Sequence, residues 1–195
     1  MFYAKMILFL TASYFIGAIP NVYIWVKIIT KKDISTIGSK NVGGMNAFRN
    51  ASKIAGSIGG ILDVLKGVIV AWASQVLFHN IYITLSASFL AIVGHNWSIF
   101  IKFKGGKGVG TTLGVMSIIE PVLIIPFLIG VVTGLLILRD GQVGTVIGFW
   151  LMPISSLVYN FSIITLIFYT SIALIGTYRF KGDLKRFIER QKLVN

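Results

Sequence analysis

Long apolar runs are the feature of this sequence that most constrains its fold. Six of them approach or exceed the length of about 20 residues that a helix needs to cross a bilayer. They are Met6–Val26, Ile54–Phe78, Ile81–Ile101, Pro121–Leu138, Val143–Tyr159 and Phe161–Thr177. A seventh run, Val109–Ile119, is shorter. Only 12% of the 195 residues are charged, against about 25% in soluble domains. We therefore predict an all-α integral membrane protein with a single polytopic domain over residues 1–195.

The distribution of basic residues predicts how the runs cross the membrane. If all seven cross and the N-terminus is outside, every Lys and Arg except Lys5 and Lys66 falls in four cytoplasmic stretches. These stretches are Lys27–Lys53, Lys102–Lys107, the turn at Arg139 and the tail from Arg179. Because cytoplasmic loops are enriched in Lys and Arg, we predict seven transmembrane helices, one of them short, and a cytoplasmic C-terminus. Five spans are the alternative, in which the tail stays inside and Arg139 can move outside.

Composition also excludes several classes of function. The net charge of +12 could attract nucleic acid, but the basic residues lie between apolar runs, where they meet lipid headgroups. We therefore expect no nucleic-acid partner. The chain has no cysteine and only two histidines, His79 and His95, so we expect no thiolate nucleophile, metal site or cofactor. No obligate protein partner is expected either.

The first basic stretch contains a loop of glycine and small polar residues. Three glycines lie between Gly38 and Gly44, together with Ser39 and Asn41, a composition that opposes an ordinary helix. The backbone N–H groups of such a loop can surround an anion, and the nearby Arg49 adds a planar bidentate donor. The alternative is a flexible connection between helices.

The second basic stretch contains four glycines and three lysines in the nine residues 102–110. It leads directly into the run Val109–Ile119, and a helix N-terminus favours phosphate through its free N–H groups and its dipole. The spacing is not that of a Walker A loop or of a dinucleotide fingerprint. An ordinary basic turn is the alternative. Two such loops on one membrane face predict two phosphate groups held close together.

Polar residues also occur within the apolar runs. Asp63 and Lys66 are three residues apart, so they can pair on one helix face, and charges at membrane depth are either paired for structure or functional. His95 lies near the end of the third run. It can be a packing hydrogen bonder or a base.

Three parts of the sequence together resemble the motifs of a known family. They are Gly17–Pro20, Gly38–Asn46 with Arg49, and Gly94-His95 followed by Phe103–Val109. This family is the bacterial acyl-phosphate-dependent glycerol-3-phosphate acyltransferases of the inner membrane. The resemblance extends from Gly17 to about Phe187, and the Phe103–Val109 segment is its most specific part.

The resemblance implies a membrane enzyme of phospholipid synthesis. It would move a fatty acyl group from acyl phosphate to the 1-hydroxyl of glycerol 3-phosphate, giving lysophosphatidic acid and phosphate. Its location would be the bacterial inner (plasma) membrane, with the active site facing the cytoplasm and membrane lipids as surroundings. The residues that match by position are Ser39, Arg49 and Lys107 as catalytic; Gly38, Asn41, Gly43, Asn46, Lys104, Gly105, Gly106, Gly108 and Arg139 as phosphate-binding; and Asp63, Lys66 and His95 as supporting. With no Cys and no Ser–His–Asp set, a covalent acyl-enzyme is not expected.

Several positions depart from the family pattern. Lys40, Gly44 and Met45 stand where the first motif has glycine, alanine and threonine, and Phe180 and Asp183 stand where the third motif has histidine and asparagine. The loop Asp140–Val143 also lacks the family's tyrosine and serine. Two alternatives therefore remain open: a paralogue with a different acceptor, and a non-catalytic protein that binds acyl phosphate or anionic lipid. A transporter is disfavoured because the charges cluster in loops and not along a midplane path.

Overall fold

The computed structural model describes residues 1–160, without the side chain of Asn160, and residues 162–193. Within these ranges the regular elements are α-helices and short 3₁₀ turns. The helices are α1 (Phe2–Ala18), α2 (Asn21–Thr30), α3 (Gly44–Asn50), α4 (Lys53–Phe78), α5 (Ile81–Asn96), α6 (Val109–Ile119), α7 (Ile124–Leu136), α8 (Gly141–Asn160) and α9 (Ile163–Lys192). The prediction of an all-α protein is confirmed.

Five helical segments of the described chain are long and apolar enough to cross a membrane. They are Phe2–Thr30, Lys53–Phe78, Ile81–Ile101, Gly141–Tyr159 and Ile163–Lys192. Two apolar helical segments are shorter, Val109–Ile119 and Pro121–Leu136. The predicted run Val109–Ile119 coincides with α6, and Phe161, where the sixth run begins, lies outside the described residues. The number of crossings and the side of each terminus remain predictions.

The first predicted run is interrupted at Pro20. Proline has no N–H to donate and keeps the preceding residue out of the α region, and Ile19 accordingly adopts φ −56° and ψ 115°. The interruption leaves two carbonyl groups without helical partners. The Ser98 hydroxyl donates to Ala18 O, and Lys66 Nζ donates to Ile19 O over 3.0 Å. The helix break thus attaches the first segment to α4 and to the turn after α5.

The last helix is longer than hydropathy predicts. The apolar run ends at Thr177, whereas α9 continues to Lys192 for a total of 30 residues. Its polar half carries ion pairs between neighbouring turns, Asp183 with Arg186 and Lys185 with Glu189, and such pairs support a helix after it has left an apolar environment. Hydropathy detects only the apolar part of the helix.

The N-terminal unit, Met1–Ile119, is built around α4. α2, α3, α5 and α6 pack on this helix, and α1 packs on α5. Small residues permit the close approach. A Cβ added at Gly56 would lie 2.5 Å from Phe48 N in α3, and one added at Gly67 would lie 2.2 Å from Thr111 O in α6.

The C-terminal unit begins at Glu120 and consists of α7, α8 and α9. Two glycines four residues apart on α7, Gly130 and Gly134, meet a matching pair on α8, Gly144 and Gly148. An added Cβ at Gly134 would lie 2.1 Å from Gly144 Cα, and one at Gly130 would lie 2.3 Å from Gly148 N. The two helices therefore touch through their backbones. Whether the chain acts as a single domain, as predicted, remains a prediction.

Candidate functional site

A buried ionic cluster lies below the loops of the N-terminal unit. Asp63 Oδ1 and Lys66 Nζ are 2.9 Å apart, and both side chains are at most 6% exposed. Asn21 Nδ2 donates to the same Asp63 oxygen over 3.1 Å, while Lys66 also donates to Ile19 O. His95 Nδ1 lies 3.6 Å from Asp63 Oδ1. Charges taken out of water are tolerated when they are paired and hydrogen-bonded, and this cluster meets both conditions.

The first glycine-rich loop is organised by one buried side chain, Asn46. Its Oδ1 accepts from Ser39 N over 3.1 Å and from Asn50 Nδ2 over 3.0 Å. Its Nδ2 donates to Ile37 O and Asn41 O over 2.9 and 2.8 Å. Asn46 itself lies in the first turn of α3, so these bonds attach the loop to that helix. Both atoms of its amide are therefore engaged within the protein.

The tight curvature of this loop requires glycine at one position. Gly38 adopts φ +56°, and a Cβ there would lie 2.4 Å from Asn46 Oδ1. Lys40 also has a positive φ, 58°. The curvature leaves Ser39, at the tip of the loop, exposed to solvent.

The second glycine-rich loop packs on the C-terminal end of α5. Gly106 N donates to His95 O over 3.1 Å. A Cβ added at Gly105 would lie 2.1 Å from His95 O, and one added at Gly106 would lie 2.1 Å from His95 Nε2. The glycines of this loop are thus required for its contact with His95, which itself reaches the ionic cluster. His95 thus lies between the loop and Asp63, and its supporting role remains a prediction.

The helices that follow the two loops both approach Gly60 of α4. A Cβ added at Gly44, the first residue of α3, would lie 3.3 Å from Gly60 Cα. One added at Gly110, in the first turn of α6, would lie 3.5 Å from Gly60 O. The helices that follow the two loops therefore begin beside each other. This convergence agrees with the expectation that both loops act together.

Electrostatics and apolar packing also connect the two loops. Hydrogen bonds from the Ser35 side chain and backbone lower the pKa of Asp33, and the charges of Lys27 and Lys104 lower it further. Ile101, just before the second loop, packs against the apolar cluster that contains Val42 of the first loop. Lys104 of the second loop is thus within electrostatic range of Asp33, which precedes the first loop.

The basic residues predicted to hold phosphate lie in these two segments. Ser39, Arg49 and Lys104 are exposed, and Lys107 is partly buried. Lys107 directly precedes Gly108, where the chain turns with φ +81° into α6. The structure brings their segments together, and their roles in substrate binding remain predictions.

Arg139 belongs to the C-terminal unit. It is exposed, has a positive φ of 51° and lies in the turn between α7 and α8. Asp140 next to it accepts from Gln142 N and Val143 N at the start of α8 and is also paired with Arg190 of α9. The predicted part of Arg139 in phosphate binding remains a prediction.

The two unusual residues of the tail have partners within their own unit. Phe180 is 2% exposed, and its ring lies 6.3 Å from that of Phe149. The Asp183 carboxylate is 2.5 Å from Arg186 Nη2. The negative charge that Asp183 brings in place of the family's asparagine is thus paired with Arg186.

Sequence reasoning overlooked two contributors to the site. Asn21 donates to Asp63, but it follows Pro20 within an apolar run and carries no motif of its own. Gly60 is one glycine of several in α4, and only the structure shows that both glycine-rich loops arrive there. The signal that could have revealed Asn21 is the Pro20 break, which leaves polar groups at membrane depth that need partners.

Comparisons with known proteins point to one family. A model described as glycerol-3-phosphate acyltransferase matches residues 7–190. A glycerol-3-phosphate acyltransferase of Endomicrobium trichonymphae is 36% identical over 188 residues, which are 95% of this chain and 94% of that protein. One from Thermoanaerobacter pseudethanolicus is 33% identical over 177 residues, which are 90% of this chain and 88% of that protein.

The fold has a solved counterpart in PlsY, an integral membrane glycerol 3-phosphate acyltransferase. Its glycerol 3-phosphate form superimposes with a TM-score of 0.84 at 25% identity, covering 95% of this chain and 92% of that one. Its lysophosphatidic acid form gives a TM-score of 0.81 at 24% identity, with the same coverage.

Proposed function

Because this chain belongs to the glycerol-3-phosphate acyltransferase family of integral membrane proteins, we propose that it moves a fatty acyl group from acyl phosphate to the 1-hydroxyl of glycerol 3-phosphate. The products are lysophosphatidic acid and inorganic phosphate. The observation that supports this best is the convergence of two glycine-rich loops at Gly60. Both substrates carry a phosphate group, and two adjacent anion-binding loops would hold one each.

The proposed reaction is a direct transfer between the two bound substrates. The 1-hydroxyl oxygen attacks the acyl carbonyl carbon, the new ester bond forms, and the bond between the acyl carbon and the phosphate oxygen breaks. The hydroxyl proton passes to a phosphate oxygen, so no protein base is required. Two anions repel each other, and the positive charges around the loops would offset this repulsion and hold the hydroxyl near the carbonyl.

The roles follow from the chemistry of each residue. Arg49, near the end of α3, would bind a phosphate through its two-pronged guanidinium. Lys107 would neutralise charge beside the N-terminus of α6, where free N–H groups also favour an anion. The backbone from Gly38 to Gly43 would supply further N–H donors, with Ser39 at its tip. Asn46 would act indirectly, because its amide is engaged in holding this backbone.

We also propose the membrane arrangement in which all seven apolar segments cross. With 11 residues, α6 extends only about 16 Å, and it would cross in the shelter of α4, against which its backbone packs at Gly67 and Gly114. The positive-inside rule then supports an outside N-terminus and a cytoplasmic site. The membrane would be the bacterial inner membrane.

The donor is the part of this proposal that most needs an experiment. Purified protein in lipid is given glycerol 3-phosphate with either acyl phosphate or acyl-coenzyme A of the same chain length, and lysophosphatidic acid is measured by mass spectrometry. We expect lysophosphatidic acid only when acyl phosphate is the donor, and we expect one molecule of it for each phosphate released. Product from acyl-coenzyme A at a comparable rate would refute the proposed donor.

A different acceptor is the second candidate, and the tail supports it. Phe180 and Asp183 replace a hydrogen-bonding pair of the family motif, and here they are engaged with Phe149 and Arg186. The test compares glycerol 3-phosphate with other short polyol phosphates. A preference for another acceptor that reverts in the double variant Phe180→His/Asp183→Asn would favour this candidate, whereas a preference for glycerol 3-phosphate in the unaltered protein would reject it.

A further inference from the structure

The C-terminal end of α5 carries a buried amide that has no hydrogen-bond partner in the part of the chain that the structure describes. Asn96, the last residue of α5, is 1% exposed, and neither its Oδ1 nor its Nδ2 has a partner among residues 1–160 and 162–193. An unsatisfied buried donor or acceptor opposes folding, and each one in a native protein needs an explanation. Ser88, on the same helix, also has a buried hydroxyl without a partner, but a serine hydroxyl can rotate onto a carbonyl of its own helix. An amide has a fixed plane with two donors and an acceptor to satisfy.

This amide lies against the backbone of the second glycine-rich loop. A Cβ added at Gly108 would lie 3.1 Å from both Nδ2 and Oδ1 of Asn96. A side chain at position 108 would therefore crowd the amide, so the loop backbone can lie this close to it only with glycine there. Gly108 also has φ +81° and is followed by Val109, the first residue of α6. The amide thus faces the point where the loop turns into a helix of 11 residues.

The chemistry of an amide matches one of the two proposed substrates better than the other. A phosphate dianion only accepts hydrogen bonds, so it can satisfy Nδ2 but not Oδ1. A hydroxyl group both donates and accepts. The acyl arm of acyl phosphate carries no hydroxyl, whereas glycerol 3-phosphate carries two beside its phosphate. Of the two proposed substrates, only the polyol phosphate can therefore satisfy both atoms of the Asn96 amide.

We infer that Asn96 is a specificity-determining residue that binds the polyol phosphate. Its Nδ2 donates to an oxygen of that substrate, and its Oδ1 accepts from a glycerol hydroxyl. This inference rests on the proposed function, and it adds one contact between the protein and the proposed acceptor substrate. Without substrate, the unsatisfied Asn96 amide lowers the stability of the protein. Active sites commonly contain such destabilising groups because the groups are needed for function.

Binding and kinetics of Asn96→Leu test this inference in the full-length protein in lipid. Leucine is similar in size and has no unsatisfied polar atoms. We expect the KM for glycerol 3-phosphate to rise about tenfold, as for the loss of a substrate hydrogen bond, while the KM for acyl phosphate changes less than about twofold. The melting temperature without substrate should stay the same or rise. Ser88→Ala, which removes another unpartnered buried group from α5, should change neither constant.

A second readout does not depend on turnover. The rise in melting temperature on adding glycerol 3-phosphate is compared with the rise on adding inorganic phosphate. In the unaltered protein glycerol 3-phosphate should stabilise more, and Asn96→Leu should remove this difference. If the protein does not turn over acyl phosphate, the proposed function fails, but this comparison still tests Asn96. The inference is overturned if the unaltered protein does not prefer glycerol 3-phosphate, if Asn96→Leu leaves the preference intact, or if Asn96→Leu lowers the melting temperature and raises both KM values alike.

Discussion

The Asn46 side chain bonds three backbone groups of the first loop segment and Asn50 of α3, and this makes it a good residue for separating loop geometry from charge. In Asn46→Asp the acceptor oxygen remains, but Ile37 O and Asn41 O lose their donor and a negative charge is added near the proposed phosphate. We expect glycerol 3-phosphate-dependent phosphate release to fall at least tenfold, because both changes oppose anion binding. Asn50→Ala, which removes only a donor to Asn46, should retain activity within about twofold. Equal activity in both variants would contradict the assigned role of Asn46.

The buried pair Asp63–Lys66 yields a prediction about stability. Lys66→Met leaves Asp63 with Asn21 and His95 but without its cationic partner, and removal of one member of a buried ion pair costs about 3–5 kcal/mol. The double variant Asp63→Leu/Lys66→Met removes both charges, so it should lose much less than the two single variants together. Denaturant unfolding in detergent micelles measures this difference. Additive losses would show that the pair is not coupled.

Among the elements, the helices are the part that the sequence predicts best, and the departures have physical reasons. Val109–Ile119 is predicted to the residue, because glycines before it and Glu120-Pro121 after it limit an apolar run. The division of the first run follows from Pro20, whose effect on the backbone a hydropathy pattern does not report. The polar half of α9 could not be found from hydropathy, because its many charged residues lower the mean hydropathy, although buried Phe180 and ion pairs support the helix there.

The contact between α7 and α8 yields a prediction at this scale. A Cβ at Gly134 would lie 2.1 Å from Gly144 Cα, and since both atoms are backbone, Gly134→Ala must move the helices apart. We expect a fall of several degrees in the melting temperature. Gly182→Ala is the matched control on α9, where no described residue has an atom within 4 Å of an added Cβ, and it should be neutral or stabilising because alanine favours helix over glycine. A similar loss in both variants would argue against close packing at Gly134.

For the molecule as a whole, the sequence predicts which loops share a face but not how close they come. Charge distribution alone assigns both glycine-rich loops to one side. Their meeting at Gly60 depends on how α3 and α6 pack on α4, and neither a motif nor a hydropathy pattern reports interhelical distances. The unsatisfied amide of Asn96 is also invisible in the sequence, because burial and partners are properties of the fold.

The proposed topology can be tested with cysteine labelling, since the chain contains no cysteine. Lys32→Cys places a single thiol in the first basic stretch, and His79→Cys places one in the turn between α4 and α5. A maleimide that cannot cross the inner membrane should label His79→Cys in intact cells and Lys32→Cys only after permeabilisation. The reverse pattern would contradict the cytoplasmic site.

The central claim is that two glycine-rich loops form one site that transfers an acyl group between two phosphate-bearing substrates. The most direct test measures initial rates of phosphate release from acyl phosphate, with and without glycerol 3-phosphate. It compares the purified unaltered protein with three single variants, Arg49→Ala, Lys107→Ala and the exposed control Lys32→Ala. The account predicts release that depends on glycerol 3-phosphate, falls at least about 100-fold in each of the first two variants and persists in the third. Binding of acyl phosphate without release, or release that survives both Arg49→Ala and Lys107→Ala, would contradict it.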